Sequence, residues 1–566
     1  MSGNLAAAVE ASSGPVGRWG GKIPIVIGAV GHRDIFPADG KLTSAIRSEC
    51  QKLKKDFGGS PFVILSSLAE GADRMIARIA VDELGADLIA VLPMPADDFA
   101  QDFLTDDSKS EFFSLLKEAL YVKYAPVQDG AAWKTPGDAR DGQYARAGAI
   151  VADHAQILIA IWDGLPARGT AGTGEVVSWF RRGFSPPKYA LHKAGLSPLA
   201  PPEPGLLIHI GKDARLVSAG ETGRPDPHAS GIGSILKRID AYNRDVISGA
   251  EAVAQAKPLV SGETAIAGLS IAEGVYRAAD SISVSYATQM RNAERWIYYL
   301  AFGSILSLNI INVAPIVAWI YLAVTAVMGV LAFRIRFLSM SNRYVEYRGL
   351  AETMRTLYFW RLAGVEGPAW AYCLPRRPGV VHWIAQATRA AEFCQACATP
   401  EPHKGGIPAT RKYWVDHQRE WLTQREDENL KHFRMGGRLV RFSILGSFLT
   451  AAAITWLSLA TDAHGASLWV AWVKPDLYAT AWQVLLAIFA IFELSGRNNR
   501  IHLELAKQYA VQKDIFETAH RQLDAAAKEP DGAWTAEEVL GKLGEETLQA
   551  QAEWLWREHT KPFEPA

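Results

Sequence analysis

Cysteine is scarce in this chain of 566 residues, which contains only four. So few cysteines exclude a disulfide framework as the main source of stability. Charge of one sign is lacking as well, because 59 basic residues are balanced by 60 acidic ones and the formal net charge is −1. A protein that neutralises many phosphates of nucleic acid needs a basic excess. We therefore predict no nucleic-acid partner.

Complete sets of metal ligands are also missing. Cys394 and Cys397 form a C-x-x-C pair, and Cys373 and His403 are near in the sequence. A structural zinc site needs four ligands, which usually come as two close pairs. The second pair is absent here, and the other histidines have no metal-binding spacing. We predict neither a bound metal nor a cofactor.

The N-terminal residues 1–21 lack a basic start followed by an apolar core, so they do not resemble a secretory signal. Their serine, glycine and alanine content predicts a mobile tail.

Charged residues are absent from three long apolar runs, at residues 297–333, 442–461 and 477–492. A helix crosses the hydrocarbon of a membrane with roughly 20 residues. The first run is long enough for two crossings, and Asn312 and Pro315 lie near its middle, where a turn is expected. These runs predict four transmembrane helices in two hairpins. The alternative is a buried helical core, but helices of soluble domains normally have a polar stripe.

Arginines flank both predicted hairpins, and the short loops within the hairpins hold almost no basic residues. Positively charged residues stay on the cytoplasmic side of a membrane. This pattern predicts a multi-pass protein of the cytoplasmic membrane, with both termini and all large segments in the cytoplasm.

The first part of the chain alternates short apolar runs with helical patterns. Apolar runs occur at Ile23–Val30, Phe62–Ser66, Asp87–Leu92 and Gln156–Trp162. Two further strands are predicted at Tyr121–Tyr124 and Leu206–Ile210. Strands that alternate with helices predict a parallel sheet with helices on both faces. The predicted fold class is therefore a Rossmann-like α/β domain with a parallel sheet, followed by an all-α membrane region with cytoplasmic helices.

These patterns divide the chain into seven predicted segments. They are a mobile tail (1–21), an α/β domain (22–260), a coupling helix (261–296), a first hairpin (297–333), a cytoplasmic helical region (334–441), a second hairpin (442–494) and a C-terminal helical region (495–566). Ser281–Trp296 contains no glycine or proline, so the coupling helix is expected to continue into Ile297.

Three loops follow predicted strands and carry the candidate binding residues. In a parallel sheet, ligands bind beyond the carboxyl ends of the strands. Glycines allow a ligand to approach the backbone, arginine offers a fork for phosphate, and small residues before a helix favour anion binding. The candidate ligand-binding residues are Gly31, His32, Arg33, Ser66, Ser67, Glu70, Gly71, Asp73, Arg74, Asp163, Gly172, Thr173 and Glu175. Each loop alone is also compatible with an ordinary turn or helix cap.

The blocks VGHRD, LSSLAEGADR and AQILIAIWDG followed by GTGE resemble the SLOG superfamily, which includes DprA-like proteins and the LOG phosphoribohydrolases. The resemblance covers residues 23–183 and keeps the order of the three blocks. It implies a domain that binds a nucleotide or nucleotide-derived ligand at the sheet edge. The hairpins, with YRGLAETMRTLYFWRLAG and WVDHQREWL, resemble the SLATT membrane effectors of bacterial conflict systems.

The resemblance also bears on catalysis. LOG enzymes cleave the N-glycosidic bond of a nucleotide with a glutamate in the pattern G-T-x-x-E. In this chain the matching position is Val176, which cannot transfer a proton. We therefore predict no catalytic residue, although Glu175, Glu70 or Asp73 could supply a carboxylate.

The function predicted from these features is a membrane effector that senses a nucleotide-derived small molecule and alters the lipid bilayer, as an oligomeric pore in antiviral defence. Two hairpins enclose little lumen, so a homo-oligomer is expected. The alternatives are a membrane-tethered nucleotide N-glycosidase and a membrane-anchored binding scaffold that does not conduct.

Overall fold

Seven strands form a single sheet in the computed structural model of the chain. The structure describes residues 17–35, 40–127, 131–167, 169–191, 205–222, 231–260, 269–308, 317–337, 340–372, 382–399, 406–463, 502–529 and 532–560. The strands are β1 (Ile25–Gly31), β2 (Phe62–Ser66), β3 (Asp87–Leu92), β4 (Tyr121–Tyr124), β5 (Ile157–Ile161), β6 (Gly205–Ile210) and β7 (Leu216–Thr222).

The order of the strands across the sheet is β4-β3-β2-β1-β5-β6-β7. All neighbouring pairs are parallel except β6 and β7, which are antiparallel. The predicted parallel α/β sheet is therefore found to be mostly parallel, with the antiparallel strand β7 added at one edge. The side chains of β2 and β5 are buried along their whole length, as expected for parallel strands covered on both faces. The chain proceeds from β1 outward to β4 and then returns to β5 beside β1, so the order reverses between β1 and β5.

Helices connect the strands. The helices within and directly after the sheet are α1 (Gly40–Asp56), α2 (Ala72–Leu84), α3 (Ala96–Phe99), α4 (Asp106–Glu118), α5 (Asp138–His154), α6 (Thr173–Arg182), α7 (Ile232–Ser248) and α8 (Ala250–Gln255), with short 3-10 turns at Ala100–Asp102 and Ala131–Lys134. The pair α1 and α2 and the pair α5 and α6 each pack together, and α2, α5 and α6 all contact β1. Helix α2, which precedes the reversal of strand order, and helices α5 and α6, which flank β5, therefore all pack on β1.

The rest of the described chain is helical. Its elements are α9 (Ser270–Leu308), α10 (Val317–Phe337), α11 (Met340–Ala363), α12 (Ala369–Tyr372), α13 (His382–Ala398), α14 (Ile407–Thr410), a π-helical turn at Arg411–Asp416, α15 (His417–Ala463), α16 (502–528) and α17 (Ala536–Thr560). The predicted continuation of the coupling helix is confirmed, because α9 runs without a break through Ser281–Trp296 and beyond Ile297.

The predicted membrane region is corrected. Among the residues that the structure describes, no helix is long and apolar enough to cross a membrane. The apolar part of α9 begins only at Ile297, and α10 is free of charge only as far as Phe333. Within the described residues these uncharged stretches cover 297–308 and 317–333, and neither reaches the roughly 20 residues of a crossing. The four transmembrane helices, and with them the predicted multi-pass membrane localisation, are not supported. Residues 309–316 and 464–501, which include a predicted turn and the last predicted span, are outside the described part.

Large apolar side chains on α10 are nevertheless exposed. Trp319 is 73% exposed, and Leu322 and Val330 are 58% and 60% exposed. Exposed apolar side chains on one helix are typical of a surface that binds another apolar surface.

Two compact units divide the chain. Unit 1 contains residues 1–283, 345–407 and 540–560, and unit 2 contains residues 284–344, 408–539 and 561–566. In unit 1, α13 covers part of the sheet domain, since it packs on β4, α5 and α7. The His154 ring on α5 lies 4.3 Å from that of Phe393 on α13, and the amide of Gln156 donates to the carbonyl of Gln386. The sheet domain is therefore partly covered by a helix that is distant in sequence.

In unit 2, α15 and α16 pack side by side. An ion pair joins Glu426 to Lys513 at 2.5 Å, and the Nδ1 atom of His520 lies 2.7 Å from the Oδ1 atom of Asp416, in the π-helical turn that leads into α15. The Trp421 and Tyr509 rings meet edge to face. These contacts repeat along the two helices and fix their register.

Candidate functional site

The site begins at the carboxyl end of β1, where the strand order reverses. Open α/β sheets bind ligands at this kind of position. Gly31 ends the strand, and a Cβ atom there would lie 2.3 Å from the Cβ of Ala72 at the start of α2. Gly71 has a φ of +83°, and its Cβ would lie 2.5 Å from the carbonyl oxygen of Arg33. The β1 and β2 loops therefore touch through backbone, which requires glycine at both positions.

His32 and Asp163 bring the β1 loop and the β5 loop together. The Nε2 atom of His32 lies 3.3 Å from the Oδ1 atom of Asp163. Asp163 also accepts a hydrogen bond from the N–H of Leu165 at 3.0 Å. This backbone hydrogen bond, followed by the contact with His32, lowers the pKa of the Asp163 carboxyl group. The predicted juxtaposition of these two loops at one sheet edge is therefore present.

Lys212, which is not among the predicted binding residues, adds a cation to this group. It follows β6, and its Nζ atom lies 2.8 Å from the Oδ2 atom of Asp34. The hydrogen bond from Lys212 is the largest cause of the lowered pKa of Asp34. The tripeptide Gly211-Lys212-Asp213 follows the predicted strand Leu206–Ile210, so the rule that selected the other loops would have found it.

Arg33 is exposed next to this group. Its guanidinium carbon lies 5.2 Å from the centre of the Tyr144 ring, a cation–π distance. Tyr144 comes from α5, and its hydroxyl contacts Asp102, which forms an ion pair with Arg140 at 2.7 Å. Burial is the main cause that raises the pKa of Tyr144 to about 12. The neutral ring of Tyr144 therefore supports the guanidinium of Arg33 and positions it. We call the group Gly31, His32, Arg33, Gly71, Asp163 and Lys212 the strand-end site.

Asp73 lies beneath the strand-end site, in the first turn of α2. Its carboxyl group is buried and accepts hydrogen bonds from the backbone of Gly31 and Ala69. Burial raises its pKa to about 7, and the nearby charge of Arg33 partly opposes this. The carboxyl group therefore links the loop after β1, which contains Gly31, to the loop after β2, which contains Ala69.

Three other predicted residues are occupied by contacts within the protein. The Ser66 hydroxyl accepts from the N–H of Leu68 at 3.1 Å within a turn. Glu70 accepts from the hydroxyl of Ser108 at 2.5 Å and from the N–H of Leu104 at 3.1 Å. Arg74 is 3% exposed.

The guanidinium of Arg74 donates to the carbonyl of Leu68 at 2.9 Å and pairs with Glu111 at 3.2 Å. It also stacks 4.5 Å from the ring centre of Phe103. Arg74, together with Glu70, therefore fastens the β2 loop to the segment around α4.

The predicted residue Ser67, in the same loop, is partly exposed.

The loop after β5 leads into the amino end of α6. Gly172 is the N-cap residue of this helix, and Thr173 is its first residue. Glu175 accepts from the N–H of Ala171 at 2.7 Å, so its carboxylate holds the loop that precedes the helix. Val176, in the position of the LOG-type glutamate, is 4% exposed. A Cβ atom at Gly148 of α5 would lie 2.8 Å from its Cγ2 atom, so Val176 packs in the core.

Comparisons with known proteins add no assignment, since no family model, curated protein or solved structure matches the chain.

Proposed function

We propose that the strand-end site binds the phosphate of a nucleotide or nucleotide-derived signal, and that the chain acts as a sensor of that ligand. The observation that carries the proposal is the convergence of His32, Arg33 and Lys212 at the reversal between β1 and β5, beside two loops that Gly31 and Gly71 allow to pack closely together. Arginine and lysine are the usual phosphate partners in proteins. The amino ends of α2 and α6 are at the same sheet edge and favour an anion there.

Replacing Arg33 or Lys212 with alanine should weaken binding of ribonucleoside monophosphates to the full-length protein. A hydrogen bond to a charged group contributes about 1.5–3 kcal/mol, so each variant should raise the Kd about 10- to 100-fold. Isothermal calorimetry measures this directly. Lys55→Ala removes an exposed lysine from the last turn of α1 and serves as the control with unchanged Kd. Unchanged affinity in folded Arg33→Ala and Lys212→Ala proteins would place the ligand elsewhere.

The competing function is hydrolysis of the nucleotide, and the structure of α6 argues against it. Val176 is buried, Glu175 is bonded to the backbone, Glu70 is bonded to Ser108, and Asp73 is buried and held by the backbone of Gly31 and Ala69. None of these residues offers a free carboxylate of the LOG type.

The purified protein should therefore release no free base from AMP above the rate of a buffer blank, as followed by chromatography. Release of adenine by the wild type that disappears in Glu175→Gln or Glu70→Gln would instead support an N-glycosidase.

A further inference from the structure

An open groove with a volume of about 700 Å³ runs beside α6. Its walls include Trp162 and Thr170 from the β5–α6 loop, and Gly174, Ser178, Arg181 and Arg182 from the helix. We call it the α6 groove. A Cβ atom at Gly174 would lie 2.7 Å from the carbonyl oxygen of Leu165, so the loop packs closely on the first turn of the helix. The groove is therefore built by the same loop that carries Asp163 of the strand-end site.

The charge of the α6 groove is positive. Arg181 and Arg182 are both exposed, and no carboxylate within the described part of the chain forms an ion pair with either. The guanidinium carbon of Arg181 lies 5.7 Å from the centre of the Trp162 ring. The carboxylate that lines the groove, that of Glu175, is already held by the N–H of Ala171. Basic residues in the last turn complement the helix dipole, but that does not account for an open groove beside them.

The position of the arginines on α6 indicates how far a ligand would extend along the α6 groove. Arg181 follows Thr173 by eight positions, which is roughly 12 Å along a helix at 1.5 Å per residue. Long side chains on a helix lean back towards its amino end, and the Trp162 contact draws Arg181 in that direction. A single phosphate at the amino end of α6 would be out of reach of this arginine. A chain of phosphates that starts there would approach it along the groove.

We propose that the α6 groove holds the outer phosphates of a nucleoside polyphosphate whose first phosphate lies at the strand-end site. This inference rests on the proposed function and narrows its ligand class. Thr170 and Ser178 supply hydroxyl donors, and Arg181 and Arg182 supply the cations. Trp162 donates its Nε1–H to the carbonyl of Leu165 at 2.8 Å, so its ring supports Arg181 and does not itself donate to the ligand.

The test compares the affinity of full-length protein for the four ribonucleoside monophosphates with that for the matching triphosphates, at one Mg²⁺ concentration. In the double variant Arg181→Ala/Arg182→Ala, the Kd for the triphosphate should rise about 10- to 100-fold, the range expected for lost charge-assisted hydrogen bonds. The Kd for the monophosphate should stay within about twofold of the wild-type value, because the first phosphate does not touch these arginines. The ratio of the two Kd values is the readout, since general loosening of α6 would change both.

Arg78→Ala is the matched control, because Arg78 is an exposed arginine on α2 that pairs with Glu111. It should leave the ratio unchanged. An unchanged ratio in the double variant, or an equal loss of affinity for both ligands, would overturn the inference while leaving the proposed function intact. If the wild type bound none of these nucleotides, the proposed function itself would fail, and the inference with it.

Discussion

Replacing Gly544 with alanine is expected to lower the free energy of unfolding of unit 1 by about 3 kcal/mol, at the upper end of the usual cost of overpacking. A Cβ atom at this position would lie 2.1 Å from the Nε1 atom of Trp360. Trp360 is 2% exposed, and the same nitrogen donates to the carbonyl of Leu540 at 3.0 Å, one turn earlier on α17. The indole is also held by the ring of Tyr372, which packs edge to face against it, so a shift of the ring would cost contacts. Urea unfolding followed by tryptophan fluorescence measures the loss.

Gly541→Ala provides a control on the same helix. A Cβ atom there would meet the Cγ1 atom of Val365 at 3.6 Å, an ordinary van der Waals contact. Alanine is favoured over glycine inside a helix by about 1 kcal/mol, so this variant should be slightly more stable than the wild type. Equal effects of the two substitutions would show that close approach of α17 to Trp360 does not limit stability.

The stability of unit 1 should fall as the pH rises from about 4 to about 7, and Asp73 should account for a large part of the change. The pKa of its buried carboxyl group is raised to about 7 in the folded protein, chiefly by burial, from an ordinary value of 3.8. Between these values the folded state binds more protons than the unfolded state, so the free energy of unfolding decreases with pH. The stabilisation is complete below pH 4 and is lost above pH 7. Its upper limit is about 4 kcal/mol, from 1.36 kcal/mol per pKa unit.

Asp73→Asn should flatten this dependence, because the amide carries no proton to lose. Urea unfolding at half-unit steps between pH 4.5 and 8 compares the variant with the wild type. Glu273 and Glu392 also have raised pKa values because of burial, so the difference between the two proteins isolates the part due to Asp73. Asp82→Asn changes an exposed carboxylate on the same helix and should keep the wild-type slope. If Asp73→Asn also kept that slope, the carboxyl group would be ionised throughout the range.

The sheet could be predicted closely because its strands are short, apolar and separated by helical patterns. Phe62–Ser66, Asp87–Leu92 and Tyr121–Tyr124 have the predicted bounds. The strand β7 was missed because Leu216–Thr222 (LVSAGET) mixes apolar, polar and glycine residues, as an edge strand can when one of its sides is unpaired. The four membrane spans were inferred from the length of the uncharged runs and from the arginines that flank them, but no described helix meets the requirement for both length and apolarity.

Only those residues of the site that directly follow a strand could be predicted from the sequence. His32, Arg33, Gly71 and Asp163 could be selected because each follows a strand at the same sheet edge. The sequence positions of these residues do not reveal which of their side chains are exposed and which are buried. Arg74 and Asp73 follow β2 in the same loop region as Gly71, yet both are turned inwards by the first turn of α2. Tyr144 lies in the middle of α5 and reaches Arg33 only through the packing of that helix.

The division of unit 1 among three separate stretches of chain has a consequence for its biosynthesis. Residues 345–407 and 540–560 belong to the same compact unit as residues 1–283, so α17 is synthesised hundreds of residues after the sheet of that unit. Contacts with such large sequence separation form slowly, because long loops must close first. While the ribosome makes the intervening residues, the surfaces around Trp360 and Gly349 that later receive Leu540 and Leu555 are still uncovered. Nascent chains of this protein should therefore be clients of chaperones until the C-terminal helix docks.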